Sequence, residues 1–265
     1  MDVVELLRRV ITEGSSEPSL DGGRHIRLHD HASGARVNVV LDQAAMVRSA
    51  KPSYAPPRPQ RIRARVTGLH PAPGNPDADL VQLAPANVDY PLAVELEDGA
   101  RGALELPFGE EATLEVVGFA HSLESYADEA AYRASGMPLG TRAVLPAGLM
   151  PLPGEEGEAA PLRAEALVSG VVQEATTVRN ELGGGEFLHL VVDSDGITLD
   201  VVVAPEAVDG PHPAPGHIVT GSLWFVARQA ERVPVGAAEP PAETGALDVS
   251  VAARPGRPRL FRNWG

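Results

Sequence analysis

One β-pattern is written twice in this chain. Residues 61–68 read RIRARVTG and residues 163–170 read RAEALVSG, both of the form R-x-x-A-x-V-T/S-G. YPLAVELEDG at 90–99 then faces FLHLVVDSDG at 187–196, with the aromatic and the Asp-Gly at matching positions. GALELP at 102–107 parallels ITLDVVV at 197–203, and EATLEVVGF at 111–119 parallels GHIVTGSLW at 216–224. An internal repeat constrains the whole architecture before any local motif does. It predicts two similar small β units in which Val66 and Val168 hold equivalent first-strand positions. It names no reaction.

The 265 residues allow one large or two ordinary domains. With 27 Gly and 25 Pro, turns and short strands are favoured over long helices. A net charge of −14 means that any phosphate-binding surface must be a local basic patch on a repelling background. The chain has no cysteine, which excludes disulfides, thiolate metal sites and a Cys nucleophile. Lys51 is the only lysine beside many arginines, a bias expected of a GC-rich coding sequence. The first residues, MDVVELLRRVITEGSSEPS, have too short an apolar run and too much charge for a signal peptide. No stretch reaches the roughly 20 apolar residues of a membrane span, so a cytoplasmic location is expected.

Residues 2–12 place Val3, Leu6, Leu7, Val10 and Ile11 on one helical face, with Asp2 as N-cap. A hairpin follows at 24–31 and 36–42, in which Ile26 and Leu28 alternate with His25, Arg27, His29 and His31. Helix and hairpin make an N-terminal unit at 1–49, and the proline-dense stretch 50–60 reads as an extended linker. The first β unit covers 61–149, with strands at 61–67, 90–97, 102–107, 112–119 and 141–146. A helix is predicted between its last two strands, capped by Ser122, with Leu123, Tyr126, Ala127, Ala130 and Ala131 on its apolar face and Gly136 and Pro138 as its stop. Residues 151–161 form a second linker. The second β unit covers 162–229, with strands at 163–174, 186–193, 197–204 and 217–227, a tight turn at 193–196 and one helical turn in 205–210. Residues 230–265 are expected to be an irregular Pro/Arg-rich tail.

Five short strands with a long first loop suit a small Greek-key barrel of the oligonucleotide/oligosaccharide-binding (OB) type. The segments ALVSGVVQEATTVRNELGGGEFLHLVVDSDGITLDVVVAPE at 166–206 and PAPGHIVTGSLWFVAR at 213–228 resemble OB-fold domains of otherwise uncharacterised bacterial proteins. The expected fold is therefore mainly β: two OB-like Greek-key barrels in tandem, with an N-terminal helix plus β-hairpin and one inserted helix.

Few local motifs carry chemistry. His25, His29 and His31 share a strand face, but residues four and six apart on a strand are separated by about 13 and 20 Å. Only His29 and His31 can reach one ion. The face is expected to be solvated and metal-free, with Ile26 and Leu28 inward. Gly183, Gly184 and Gly185 lack the Lys-Ser/Thr of a phosphate loop. Asp193-Ser194-Asp195-Gly196 lacks the closing Glu of a calcium loop. No G-x-S-x-G occurs, and His70, His121, His189, His212 and His217 lie in separate segments without a triad pattern. No catalytic residue, metal or cofactor is expected.

The loops at 70–89 and 172–186 join the first and second strands of each unit, where OB folds bind ligands. Tyr90, Phe187 and His189 begin the strands that follow and can stack on a ring, or Tyr90 and Phe187 can close the barrel ends. In the tail, Arg259, Phe261, Arg262 and Trp264 form a candidate anchor for an acidic surface, on this chain, on a neighbouring subunit or on a partner. The leading reading is a non-enzymatic binding or protein-interaction protein that uses its barrels as loop scaffolds for a protein partner or a small polar ligand. A single-stranded nucleic-acid binder and a hydrolase or transferase on an all-β frame stay open beside it, the former opposed by the net charge.

Overall fold

A computed structural model describes residues 2–19, 22–72, 75–99, 106, 108–150 and 162–230, with the side chains of 71, 72 and 75–79 excepted. The tail anchor at Arg259, Phe261, Arg262 and Trp264 lies outside the described residues. Of the strand expected at 102–107 only Leu106 is described, and it is buried.

Leu6, Val10 and Ile11 make a buried stripe on helix α1 (Val3–Glu13). Asp2 occupies its N-cap, although the side chain makes no cap hydrogen bond and only its carbonyl accepts the Leu6 N–H. The helix packs on a four-stranded antiparallel sheet, β1 (Ser15–Pro18), β2 (Arg24–His29), β3 (Ala35–Leu41) and β4 (Val47–Tyr54), laid out in chain order. Ile26 pairs with Val39 and Leu28 with Val37, and these four share a core cluster with the helix stripe. The linker expected at 50–60 begins late, because Ala50 to Tyr54 belong to β4. Pro52 is tolerated there because β4 is an edge strand of this sheet and can spare a ladder donor.

The remaining strands form one ten-stranded sheet: β5 (Arg61–Ala72), β6 (Asn75–Pro85), β7 (Leu92–Leu96), β8 (Glu111–Tyr126), β9 (Ala143–Leu145), β10 (Glu165–Arg179), β11 (Glu186–Ser194), β12 (Ile197–Val203), β13 (Val208–Asp209) and β14 (Ile218–Gln229). The fold is thus mainly β, in two sheets with few helices. The large sheet closes on itself twice. One ring runs β5-β6-β7-β14-β8 and back to β5. The other runs β10-β11-β12-β8-β14 and back to β10.

Both rings use the β8–β14 pair, so neither segment closes by itself. The long strands change neighbours partway. On β8, Glu111 to Glu115 pair with β5 and Val117 to Phe119 with β12. On β14, Ile218 to Trp224 pair with β10, and Val226 and Ala227 with β7. Each ring has one parallel contact, β7–β14 in the first and β8–β12 in the second. One apolar cluster fills both rings and includes Val66, Leu83, Leu92, Leu114, Val168, Leu190, Leu199 and Phe225. Val66 and Val168 do not hold matching places as expected: about the row Glu95, Val226, Val117 and Asp200, Leu223 on β14 matches Leu114 on β8, so Ala166 takes the place of Ile62 and Val168 that of Ala64, two residues out of the sequence match.

Other expectations also need correction. The match of 90–99 to 187–196 is one strand out: by its pairing β6 takes the place of β11, and β7 that of β12. The loop read at 70–89 holds β6, and the loop read at 172–186 shrinks to 180–185 because β10 runs on to Arg179. The helix expected from Ser122 starts later, since Ser122, Leu123 and Tyr126 lie in β8. A bulge explains the misreading. Ser222 pairs with Ser122 but Leu223 with Ala120, which leaves His121 as an extra residue. Core positions on β8 therefore pass from Ala112, Leu114 and Val116 to Leu123, and the strand's period of two is broken into helix-like spacing. The actual helix, α2 (Glu129–Ala134), is capped by Asp128, whose carboxylate accepts the Ala131 N–H at 2.7 Å.

The second face of the small sheet is exposed at His31 as expected, but at His25, Arg27 and His29 it is partly covered. It packs through charge against β7 and the turn after it. Glu97 Oε1 lies 3.3 Å from Arg27 Nε and 3.2 Å from Arg36 Nη1, and Asp98 pairs with Arg27. Lys51 Nζ donates to Glu95 at 3.0 Å and to the Leu96 carbonyl at 2.6 Å. Strand alternation dictates that these residues share a face, but it does not say what covers that face. Ile26 and Leu28 do point inward.

Two histidines inside this interface give a pH dependence. Burial, then Arg27, lowers the pKa of His25. Burial, then Arg36 and His31, pushes His29 down to about 4 against the opposing pull of Glu97. Both stay neutral in the fold where an unfolded chain takes up protons. Their contribution is full above about pH 6.5 and declines as pH falls, for His29 until about pH 4. The melting temperature is expected to be level near neutrality and to fall across that window, and His29→Gln should flatten the fall. An unchanged pH profile in that variant would show that the carboxylates alone set it.

Candidate functional site

Beyond the second ring, β10 and β11 continue as a hairpin closed at 180–185. Asn180 shapes the turn: its Oδ1 accepts the N–H groups of Leu182 at 2.9 Å and Gly183 at 3.3 Å, and its own N–H donates to the Gly185 carbonyl at 2.8 Å. Gly184 sits at φ +76°, a left-handed position that favours glycine. The triple glycine thus serves a hairpin turn.

Residues 55–60, APPRPQ, leave β4 and cross the outer face of this hairpin. The crossing is tied at both ends. The Ala55 N–H donates to the Gly34 carbonyl at 2.9 Å, and the Gln60 N–H donates to Asp200 Oδ2 at 2.7 Å. Asp30 joins the turn of the small sheet to the 180–185 turn, accepting from the backbone of Ala32 at 3.0 Å and Glu181 at 3.1 Å and from the Ser33 hydroxyl. Burial opposes ionisation of Asp30, but the Ser33 hydroxyl and these backbone donors hold its carboxyl below the usual range.

Between crossing and hairpin lies a cavity of about 690 Å³, lined by Ala32, Ser33, Tyr54, Pro56, Pro57, Arg58, Gln60, Glu174, Thr176, Thr177, Val178, Arg179, Glu181, His189 and Val191. On its floor His189 lies directly across from Thr176, and Val191 across from Glu174. His189 Nε2 is 2.7 Å from Oδ1 of Asp200, which is fully buried. With Asp200 as the acceptor Nε2 carries the proton, and in the neutral imidazole Nδ1 keeps a lone pair. The His189 ring stands 5.0 Å from that of Tyr54, whose far side meets Phe187 edge-on at 5.3 Å. Burial and then the Asp200 charge raise the pKa of the Tyr54 hydroxyl, so it stays protonated. At the mouth Arg179 pairs with Glu181 at 3.2 Å, while Arg58 has no ion pair among the described residues.

The three residues singled out from the sequence do not converge. His189 lines the cavity. Phe187 is buried behind Tyr54 in the packing cluster. Tyr90 packs against the main core and donates to the Asp195 carbonyl at 3.2 Å. Asp195 is six residues past His189, about 20 Å along the hairpin. Sequence reasoning missed Tyr54, Arg58, Thr176 and Asp200. Asp200 had a readable signal, as the one acid inside the apolar run ITLDVVV, which demands a buried partner.

The rings of His29 and His31 are 4.1 Å apart, and among the described residues no group of three His, Cys, Asp or Glu could hold a metal. No helix among them is long and apolar enough to cross a membrane. No family model matches the sequence, and no curated protein matches it either.

Proposed function

We propose that this chain is a non-enzymatic binding protein, in which two OB-like barrels fused through β8 and β14 carry a site for a small polar ligand over His189. The observation that carries this reading is the half-buried His189, paired to the buried Asp200, on the floor of a cavity of about 690 Å³. That volume falls in the range of small-molecule sites. Two features support the OB assignment: five-stranded Greek-key closure of each ring, and a cavity beside the loop between first and second strands. In the first ring β7, the counterpart of β12 and its Asp200, is taken by the N-terminal sheet through Glu95. The ligand face of the second ring is left for a guest. Among the described residues no side chain hydrogen-bonds His189 Nδ1, so no nucleophile is coupled to the pair.

A thermal-shift screen of small polar metabolites tests the reading, run on the natural chain and on Thr176→Trp, which fills the floor beside His189. At least one compound should raise the melting temperature of the first and leave the second unmoved. Shifts of equal size in both would place binding elsewhere.

Single-stranded nucleic acid belongs to a second, disfavoured reading. The net charge is −14, and Phe108 is the one exposed aromatic among the described large hydrophobics. Fluorescence anisotropy with a labelled oligonucleotide should show no sub-micromolar binding at about 0.2 M salt. Tight binding at that salt would reverse the order of the two readings.

A further inference from the structure

The chemistry of the lining narrows the guest, on the premise that the cavity is a ligand site. We infer that it takes a planar ring carrying a hydrogen-bond donor on one edge and a single negative charge on an arm.

The ring follows from the walls. Pro56 and Pro57 on the crossing segment and Val178 and Val191 on the hairpin give the cavity apolar surfaces from two sides. The His189 and Tyr54 rings stand at its end, 5.0 Å apart. Such surfaces reward a flat body lying between them, with the polar groups of the lining at its edges.

The donor follows from His189. Its Nε2 is committed to Asp200, and the second oxygen of Asp200 is committed to the Gln60 N–H at 2.7 Å. A ring flip would break the first bond and leave a buried carboxylate short of a donor. The orientation of the ring is therefore fixed, and as the neutral imidazole it presents a lone pair at Nδ1 that a guest meets with N–H or O–H.

The charge follows from Arg58. Arg179 is already neutralised by Glu181. Arg58, on the same crossing segment as the prolines, has no ion pair among the described residues. Glu174, beside Val191, repels a second negative charge and so favours a carboxylate over a phosphate dianion.

Three probes separate these terms: 4-hydroxybenzoate has ring, donor and anion, benzoate lacks the donor, and phenol lacks the anion. In an NMR titration of the full chain at millimolar probe, 4-hydroxybenzoate should shift the Thr176 and His189 signals. It should bind about tenfold more tightly than either of the others, as expected for one charge-assisted or buried hydrogen bond. Arg58→Gln should bring it down to the level of phenol and leave phenol itself unchanged. Equal binding of all three, or no loss in Arg58→Gln, overturns the inference. If none of the probes touches the cavity while a compound from the metabolite screen does, the ligand class is wrong and the binding reading stands. If neither probes nor screen reach the cavity, both fall.

Discussion

Residues 1–150 expressed alone are expected not to form a closed barrel, and adding residues 162–265 as a separate chain is expected to restore one folded body. The first ring needs β14 to join β7 to β8, and β14 lies in the second segment. Without it, β7 and β8 become open edges, and the core around Leu92, Leu114 and Val116 loses Phe225 and Ala227. The second ring has the same dependence in reverse, because β12 finds its parallel neighbour in β8. A whole chain nicked between 150 and 162 should therefore co-elute as one species and unfold in a single transition. Two separate transitions, or a cooperative transition for 1–150 alone, would mean that each ring closes without the other.

The sharing of β8 and β14 is the part of the fold that the repeat concealed. Self-similarity identifies equivalent strands, but a swapped strand has the same sequence as an unswapped one. What decides between them is how far a strand runs past its own ring. β8 has sixteen residues and β14 has twelve. The bulge at His121 hid the second half of β8 behind helix-like spacing. β6 was hidden by its composition: NPDADLVQLAP has prolines at both ends and apolar alternation only in Leu80 to Leu83.

In contrast, β11, β12 and their turn were legible residue by residue. FLHLVVDSDGITLDVVV is two largely apolar runs parted by a turn, and Asp195 and Gly196 take the positive φ of 36° and 83° that such a two-residue turn demands. The glycine that ends the second copy of the pattern also has a physical reason. A Cβ on Gly170 would lie 2.4 Å from Val192 Cγ1 and 2.8 Å from the Asp193 carbonyl, so β11 can pass only over a glycine.

The candidate site was legible in one residue, His189, because its other members come from remote segments. Tyr54 and Arg58 reach it on a stretch that reads as linker. Asp200 reaches it through cross-strand pairing, since Val191 lies opposite it on β11. Sequence spacing carries no trace of such an encounter. It does carry the demand for one, in an acid set among valines.

Glu97→Ala is expected to destabilise the protein by about 3–5 kcal/mol, the loss seen when one partner of a buried ion pair is removed. Glu97 is 3% exposed and serves both Arg27 and Arg36. Arg27 keeps Asp98 after the change, but Arg36 keeps no acid among the described residues, and its Nε is already buried without a partner. The cost is the stranded guanidinium, not the worth of the pair. Replacing both, as Arg36→Met with Glu97→Leu, should therefore recover most of the loss. Glu5→Ala on α1 is the matched control. Its pair with Arg8 is more than half exposed on both sides and should be worth under about 0.5 kcal/mol. Urea unfolding of the four proteins reads all of this from shifts in midpoint at constant slope. A loss under about 1 kcal/mol in Glu97→Ala would mean that water reaches Arg36, and that the two sheets meet across a hydrated seam instead of a dry ionic one.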